Sequence, residues 1–301
     1  YLDRAKYIYK SDSAVPAAVD RFNGAAAIWC QPIYWDMAMN AAALAGRCGE
    51  RRRAREYREL CRRIFEGERA HYAGFDFEDN NENTGWFIYD DIMWWTISLA
   101  RAYAAFGDEE YLRLSEQSFS RVWYGSERVG DTGSYDETGG GMFWRWYPIS
   151  NPEPNRPGDG KMACINFPAA VAALTLAECV PEGRTEPAGE RPVTHTRERY
   201  FEMGREIYEW GVENLFDAAT GRVADSRHGD GEPDWKSHVY NQGTFIGASV
   251  LLYRATGEGR YLTNALLAAD YVMRDMSKDG ILPFESGIEQ GIYTAIYAQY
   301  M

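Results

Sequence analysis

The sequence predicts an all-α fold, a toroid of helical hairpins, and three observations support this prediction. Apolar residues recur at helical spacing in nearly every long segment. Alternation typical of β-strands is confined to short pieces near residues 142–147 and 222–224. Turns of one repeated type separate the helical segments, at spacings that fit pairs of helices arranged in a ring around a central pit.

Two helical segments have a clear apolar face, which packs against a core in a folded protein. One face begins at Ile92, and the other runs from Ile246 to Tyr253. Trp95 lies on the first face and is expected in the core, whereas Trp86 and Trp94 lie off it and are free to line a cleft. The members of the first face are Ile92, Trp95, Thr96, Leu99, Ala102, Tyr103 and Phe106.

The repeated turn places a glycine and an acidic residue shortly before Tyr-Leu. It occurs at residues 107–112 and 257–262, with weaker copies at residues 49–57 and before Tyr200. Glycine favours the left-handed conformation that ends a helix, and the acidic residue can cap the next helix. Each turn therefore predicts a helical hairpin. The stretches 125–161 and 180–196 are expected to form rim loops or surface excursions, the second as a mobile insertion, and we expect residues 1–301 to form one domain.

The composition restricts the ligands that the protein can bind. The 301 residues include 45 acidic and 32 basic side chains, and the resulting net charge of −13 repels nucleic acid and anionic membranes. Ten Trp and 21 Tyr residues favour flat, neutral ligands such as carbohydrate. No apolar run approaches the ~20 residues of a membrane-spanning helix. We expect a monomer and a secreted, periplasmic or cell-surface protein. The chain opens at Tyr1 rather than Met, which fits removal of either a signal peptide or a tag and does not by itself establish export.

Neither a metal site nor a cofactor is expected. The five cysteines form no CxxC pair, so free thiols are expected, with a Cys48–Cys61 disulfide as the alternative. The four histidines lack metal-ligand spacing, and residues 225–234 lack the ligand pattern of a calcium loop.

Two adjacent acids, Asp90 and Asp91, stand between Tyr89 and the Trp94-Trp95 pair where a loop becomes a helix. Hydrolysis of a glycosidic bond uses two carboxyl groups, one to protonate the leaving oxygen and one to act as nucleophile or to activate water. Aromatic neighbours lower the local polarity and offer faces on which a sugar can stack. The alternative is that Asp90 and Asp91 only cap the helix and favour its dipole.

These motifs resemble glycoside hydrolase family 76, the endo-α-1,6-mannanases and their fungal relatives. The resemblance implies an (α/α)6 barrel that cleaves α-1,6-mannoside chains with retention of configuration, with Asp90 as nucleophile and Asp91 as general acid and base. The matching residues are Trp86, Tyr89-Asp90-Asp91, Trp94-Trp95, the following Gly-Asp turn, Gly139-Gly140-Gly141 with Trp144, Tyr240-Asn241-Gln242-Gly243-Thr244 and Gly247-Ala248.

Substrate-binding roles follow from the same resemblance and from the chemistry of the side chains. Asn241 and Gln242 each offer a donor and an acceptor to sugar hydroxyls, although they could instead cap the helix that they begin. Asn166 belongs to a Lys-Asn…Asn element in which Met162 replaces the first Asn. The full set of expected binding residues is Trp86, Tyr89, Trp94, Trp144, Asn166, Tyr240, Asn241 and Gln242.

The end of the chain departs from the family. Glu289-Gln290-Gly291-Ile292 stands where the family has Phe-Lys-Gly-Ile, and the family continues with a further helix pair. The last hairpin of the ring is therefore expected to be incomplete. The alternative functions are a glycosidase for a different α-glycan, a transglycosylase or a non-catalytic glycan binder on the same fold. A sugar epimerase would need paired inner histidines, and a uronate-acting enzyme would need a basic cleft.

Overall fold

The computed structural model describes residues 1–79, 81, 84, 86–144, 155–156, 158–189, 191–284, 286–287, 289 and 291–301. Nine α-helices lie in this part of the chain, together with short strands, a 3-10 turn at Ala73–Phe75 and a π-helical turn at Val272–Met276. The helices are α1 Cys30–Arg47, α2 Arg51–His71, α3 Tyr89–Phe106, α4 Glu109–Tyr124, α5 Ala163–Cys179, α6 Arg197–Leu215, α7 Val239–Thr256, α8 Gly259–Tyr271 and α9 Ile292–Tyr300. The strands are β1 Leu2–Asp3, β2 Ile8–Tyr9, β3 Gly160–Met162, β4 Phe216–Asp217, β5 Arg222–Val223 and β6 Ser226–His228.

The helices form two concentric layers. Each of the first four odd-numbered helices packs against the next helix in the chain as a hairpin. The odd-numbered helices also contact one another in order, and α9 contacts both α7 and α1. Helices α1, α3, α5, α7 and α9 thus close an inner ring, with α2, α4, α6 and α8 outside it. The predicted helical toroid is confirmed, and within the described residues α9 has no outer partner.

Sequence differences between the layers explain their positions. The inner helix α5 is apolar on all sides and buried over most of its length, because it packs against α3, α6 and α7. Small residues allow its close contact with α6, since a Cβ atom on Gly211 would lie only 2.5 Å from the Phe167 ring. The outer helix α2 instead exposes its arginines and buries one stripe: Ala54, Cys61, Ile64, Phe65 and Glu68.

The repeated turns form the predicted hairpins, with one difference. Gly107 and Gly257 both end their helices with φ of 74°. The Asp108 side chain accepts a hydrogen bond from the backbone N–H of Glu110 (3.0 Å) and so caps α4. Glu258 makes no such cap on α8. Its longer side chain bonds Arg260 instead (2.8 Å), so this acid does not serve the capping role predicted for it.

The strands are short additions to the helical ring. β4 pairs with β5, which confirms the strand predicted near residue 222, and β3 pairs with β6 beside the start of α5. Met142 forms a single bridge with Tyr135. Residues 145–147 of the other predicted strand lie outside the described residues. All five cysteines are free thiols. Among the described helices, none is sufficiently long and apolar to span a membrane.

Burial of the Glu68 carboxyl on α2 makes the free energy of unfolding depend on pH, and this effect can be measured. Its side chain is fully buried, and neither carboxyl oxygen has a hydrogen-bond partner within the described structure. Burial raises the pKa of Glu68 well above its usual value. The unfolded chain therefore ionises first, and the free energy of unfolding falls as the pH rises above the ordinary Glu pKa of about 4.3.

We expect Glu68→Gln to remove this pH dependence. Between the ordinary Glu pKa and the raised pKa of Glu68, the variant should gain stability over the wild type by up to about 1.4 kcal/mol for each pH unit. Urea unfolding at pH 5 and pH 8 measures the difference, and Glu66→Gln on the exposed side of the same helix is the control. Equal pH dependence in Glu68→Gln and the wild type would contradict the expectation.

Candidate active site

A cavity of about 420 Å³ opens at one end of the toroid, where every inner helix begins. Because peptide dipoles align along a helix, five positive helix ends face this cavity and favour negative charge within it. Each helix contributes a side chain from its second position or from the residue before it. These residues are Trp29 before α1, Asp90 of α3, Cys164 of α5, Tyr240 of α7 and Tyr293 of α9.

Connecting segments complete the cavity. Arg21 and Ile28 come from the N-terminal segment, Trp144 comes from the loop after the three glycines, and Glu289 precedes α9. Asp91 follows Asp90 into the cavity from the first turn of α3. The stretch 125–161 thus contributes a rim loop, as predicted. The stretch 180–196 follows the other end of α5, and none of its described residues lines this cavity.

Asp90 lies among donors from three elements. The Trp144 indole N–H donates to its Oδ1 (2.8 Å), and the Cys164 thiol and the backbone amide of Asp91 also donate to the carboxylate. Burial raises the pKa of Asp90 to about 6, while the bonds from Trp144 and Cys164 limit that rise. Ile88 occupies the N-cap position of α3, and Asp90 is the second residue of the helix, so the capping alternative is wrong for Asp90. Both acids lie in the first turn, where the helix dipole favours negative charge, and Trp144 and Cys164 in addition fix the Asp90 carboxylate in the cavity.

Asp91 has a different environment. Only 7% of its surface is exposed, and burial together with the neighbouring charge of Asp90 raises the pKa of Asp91 well above its usual value. The nearby Arg21 opposes this rise without cancelling it. Asp91 therefore holds its proton at a pH at which Asp90 is ionised. Such an arrangement supplies one proton donor and one nucleophilic carboxylate side by side.

A buried ion pair fixes the start of α3. The Tyr89 hydroxyl donates to Asp131 Oδ1, and the Arg121 guanidinium pairs with Asp131 Oδ2. Arg121 also donates to the Phe77 carbonyl (3.1 Å). Burial alone would raise the pKa of Asp131, but Arg121 and Tyr89 outweigh it and hold that pKa below its usual range. Tyr89 is thus an anchor next to Asp90 and does not line the cavity.

Aromatic rings form much of the cavity wall. The rings of Tyr240 and Tyr293 lie 4.3 Å apart, and the Trp29 ring lies 6.3 Å and 6.1 Å from them. Trp144 stands beside Asp90. The structure therefore brings together four of the predicted site residues, Asp90, Asp91, Trp144 and Tyr240, and adds Trp29 and Tyr293. Rings of this kind bind the apolar face of a sugar.

Two predicted cleft tryptophans are buried elsewhere. Trp86 is fully buried against Phe77 (ring centroids 4.8 Å apart), Tyr72 and Trp95. Trp94 is 1% exposed and packs beneath Trp29, with ring centroids 6.1 Å apart. Neither lines the cavity, so the structure does not support the expectation that they form its walls. The expectation that Trp95 belongs to the core is confirmed.

Two predicted sugar-binding amides hold the backbone instead. Asn166 accepts from the Met142 N–H (2.8 Å) and donates to the carbonyls of Met142 and Met162. Gln242 accepts from the Val223 N–H (2.6 Å) and donates to the carbonyls of Gly221 and Ala268. Both side chains are fully buried and lie outside the cavity. Their amides position the glycine loop and the start of α7.

Asn241 is also fully buried and outside the cavity lining, and its amide has no hydrogen-bond partner within the described structure. The structure therefore does not bring Asn241 to Asp90. In the described residues, no three His, Cys, Asp or Glu side chains are grouped as metal ligands.

Several lining residues were missed by the sequence interpretation, namely Arg21, Trp29, Cys164, Glu289 and Tyr293. Tyr293 and Glu289 lie about 200 residues from Asp90 in the chain. They reach the cavity because α9 packs against α1 and closes the ring, and no local sequence pattern predicts that contact. One indication was present for Glu289, since it stands in the segment that departs from the family motif.

The family model for glycosyl hydrolase family 76 matches residues 4–301 of the chain. No curated protein shows significant sequence similarity to it. An α-1,6-mannanase of Salegentibacter sp. HEL1_6 is similar in structure, with a TM-score of 0.71, 22% identity, and coverage of 97% of this chain and 74% of that one. That structure is an inactive variant with two consecutive aspartates replaced by alanine, in complex with α-1,6-mannotetrose.

Two further structures have the same helical fold. The Lin0763 protein of Listeria innocua has a TM-score of 0.68 and 22% identity, and the match covers 91% of this chain. This chain spans 66% of the length of the Listeria protein. A family 76 mannosidase of Bacteroides thetaiotaomicron VPI-5482 has a TM-score of 0.67 and 17% identity, with coverage of 98% and 79%. Since the family model matches nearly the whole sequence, the chain belongs to glycosyl hydrolase family 76.

Proposed function

We propose that this glycoside hydrolase cleaves α-1,6-mannosidic bonds within mannan chains, with retention of configuration. The observation that carries the proposal is the pair Asp90 and Asp91, which share one cavity in different surroundings: the Trp144 indole donates a hydrogen bond to Asp90, whereas Asp91 is buried beside the charge of Asp90. The Salegentibacter α-1,6-mannanase offers a parallel, because its inactive variant lacks two consecutive aspartates and holds an α-1,6-linked mannose oligosaccharide.

Asp90 is the nucleophile in this proposal. The Trp144 indole and the Cys164 thiol hold its carboxylate, and the positive ends of the inner helices favour its ionised form. It attacks the anomeric carbon and forms a glycosyl ester as the bond to the leaving oxygen breaks.

Asp91 is the general acid and base. Its proton passes to the leaving oxygen in the first step, and the resulting carboxylate takes a proton from water in the second step. Water then attacks the glycosyl ester, Asp90 leaves as carboxylate, and Asp91 regains its proton. Each residue thus ends in the state in which it began.

The aromatic wall supports a neutral sugar as substrate. Trp29, Trp144, Tyr240 and Tyr293 offer apolar ring faces, while three acids and Arg21 supply polar groups. The carboxylates of Asp90 and Glu289 outnumber the single lining cation, Arg21, and repel uronates, which disfavours a uronate-acting enzyme. The described cavity lining contains no histidine, which disfavours an epimerase that uses paired histidines. We also propose that residues 1–301 act as one monomeric catalytic domain in a secreted, periplasmic or cell-surface protein.

The deciding experiment is incubation of the protein with unbranched α-1,6-mannan. A ladder of oligosaccharides supports endo action, and proton NMR of the first products reports whether the α-configuration is retained. An α-1,2-linked mannan of similar length is the control substrate. Free mannose as the sole product would contradict endo action, and equal cleavage of both mannans would contradict the linkage preference.

The pH dependence of kcat/KM should reflect the environment of Asp90. Because a nucleophile must be ionised, we expect kcat/KM to fall as the pH drops below the Asp90 pKa of about 6. Trp144→Phe removes a hydrogen bond to the carboxylate, which raises the pKa of Asp90 and moves this acidic limb to higher pH.

Trp210→Phe is the matched control, since Trp210 packs on Gly140 and Gly141 of the same loop from outside the cavity. It should leave the acidic limb in place. An acidic limb that stays fixed in Trp144→Phe would show that Trp144 does not set the ionisation of the nucleophile.

A further inference from the structure

A third acid lies in the catalytic cavity. Glu289 precedes α9, and its Oε1 accepts a hydrogen bond from the Trp29 indole N–H (2.8 Å). Trp29 immediately precedes α1, so this bond joins the first and last inner helices where the ring closes. The bonded indole lies beside Tyr293 and Tyr240. Glu289 therefore fixes the Trp29 ring in the part of the cavity wall between α1 and α9.

The charge of Glu289 also acts on Asp91. Asp90 on the same helix and Glu289 from the α9 side both disfavour a negative charge on Asp91, and Arg21 from the N-terminal segment favours it. Tyr72, at the end of α2, is a further titratable group that interacts electrostatically with Asp91. Like charges in a buried site raise the free energy of the ionised form. Without the charge of Glu289, the positive charge of Arg21 would favour the ionised form of Asp91 more strongly.

We propose that Glu289 is a positioning residue that fixes the Trp29 indole in the cavity wall and keeps the Asp91 carboxyl in its proton-donating form. This inference rests on the proposed function, in which Asp91 is the general acid. It assigns two separable tasks to one carboxylate: acceptance of the indole hydrogen bond, and a negative charge that opposes Arg21.

Two variants separate these tasks. Glu289→Gln keeps an acceptor for Trp29 but removes the charge, so the basic limb of kcat/KM on α-1,6-mannooligosaccharides should move to lower pH. Trp29→Phe keeps the charge but removes the bond and the indole. It should leave the basic limb in place and raise KM several-fold. Asp279→Asn, an exposed acid in the segment before α9, is the control and should change neither.

A second measurement does not need turnover. The infrared band of the protonated Asp91 carboxyl, identified by its absence in Asp91→Asn, should disappear at lower pH in Glu289→Gln than in the wild type. An unchanged midpoint for this band in Glu289→Gln would overturn the inference. If the midpoint shifts while the wild type fails to cleave α-1,6-mannan, the role of Glu289 stands and the proposed function is rejected.

Discussion

Asp91→Asn should lower kcat on α-1,6-mannan by about 10²–10⁴-fold, because the leaving sugar oxygen then departs without a proton. Asp90→Asn should lose roughly 10⁴-fold, since the glycosyl ester can no longer form. Both changes preserve shape and remove only an ionisable oxygen from a cavity whose other contacts remain. Affinity for α-1,6-mannotriose, measured by calorimetry, should therefore change little.

The leaving group distinguishes the two roles. An aryl α-1,6-mannobioside with a strongly acidic phenol needs no protonation, so its release as an initial burst should survive in Asp91→Asn and vanish in Asp90→Asn. Asp230→Asn, which alters an exposed acid, controls for loss of charge alone. The assignment is wrong if the burst survives in Asp90→Asn, and both roles are wrong if either variant keeps wild-type turnover on mannan.

Local signals in the sequence were sufficient for the fold class. A turn such as Gly107-Asp108 depends on the φ angle of one residue and one side-chain cap, and both are set within a few residues. The same holds for the position of Asp90 and Asp91 at the start of α3. The hairpin turns and the position of the two acids at a helix start could therefore be predicted.

Burial within the inner ring could not be predicted from one apolar stripe. An outer helix such as α2 has one buried face, and the stripe identifies it. The inner helix α3 contacts α1, α4 and α5, so residues off the stripe are buried too. Trp94 is enclosed for that reason, and Trp86 is enclosed by rings that follow α2. The argument that an off-stripe tryptophan is free to line a cleft applies only to a helix with a solvent side.

The polar residues at the start of α7 illustrate a second limit. Asparagine and glutamine can bind a sugar or satisfy buried backbone groups, and the sequence does not separate these roles. The turn before β5, β5 itself and the end of α8 leave two carbonyls and one backbone N–H beside α7, and Gln242 satisfies all three. Similarly, the bond from Trp29 to Glu289 spans 260 positions and depends on the ring being closed.

Asp131→Ala should reduce the free energy of unfolding by about 3–5 kcal/mol, because it leaves the Arg121 guanidinium buried without its partner. The low pKa of Asp131 means that its contribution exists above the ordinary Asp pKa and is lost as the pH falls through the native value. Urea unfolding at pH 7 measures the loss. Glu59→Ala, which removes exposed ion pairs with Arg62 and Arg63, is the control and should change the stability far less, because water screens those charges. Replacing both partners, as Arg121→Met with Asp131→Leu, should recover most of the stability, because no charge is then left buried. Activity should not recover with it, since Tyr89 still lacks its acceptor next to Asp90. Recovery of both properties in the double variant would show that the ion pair only stabilises the fold, and that the carboxylates keep their places without the Tyr89 hydrogen bond.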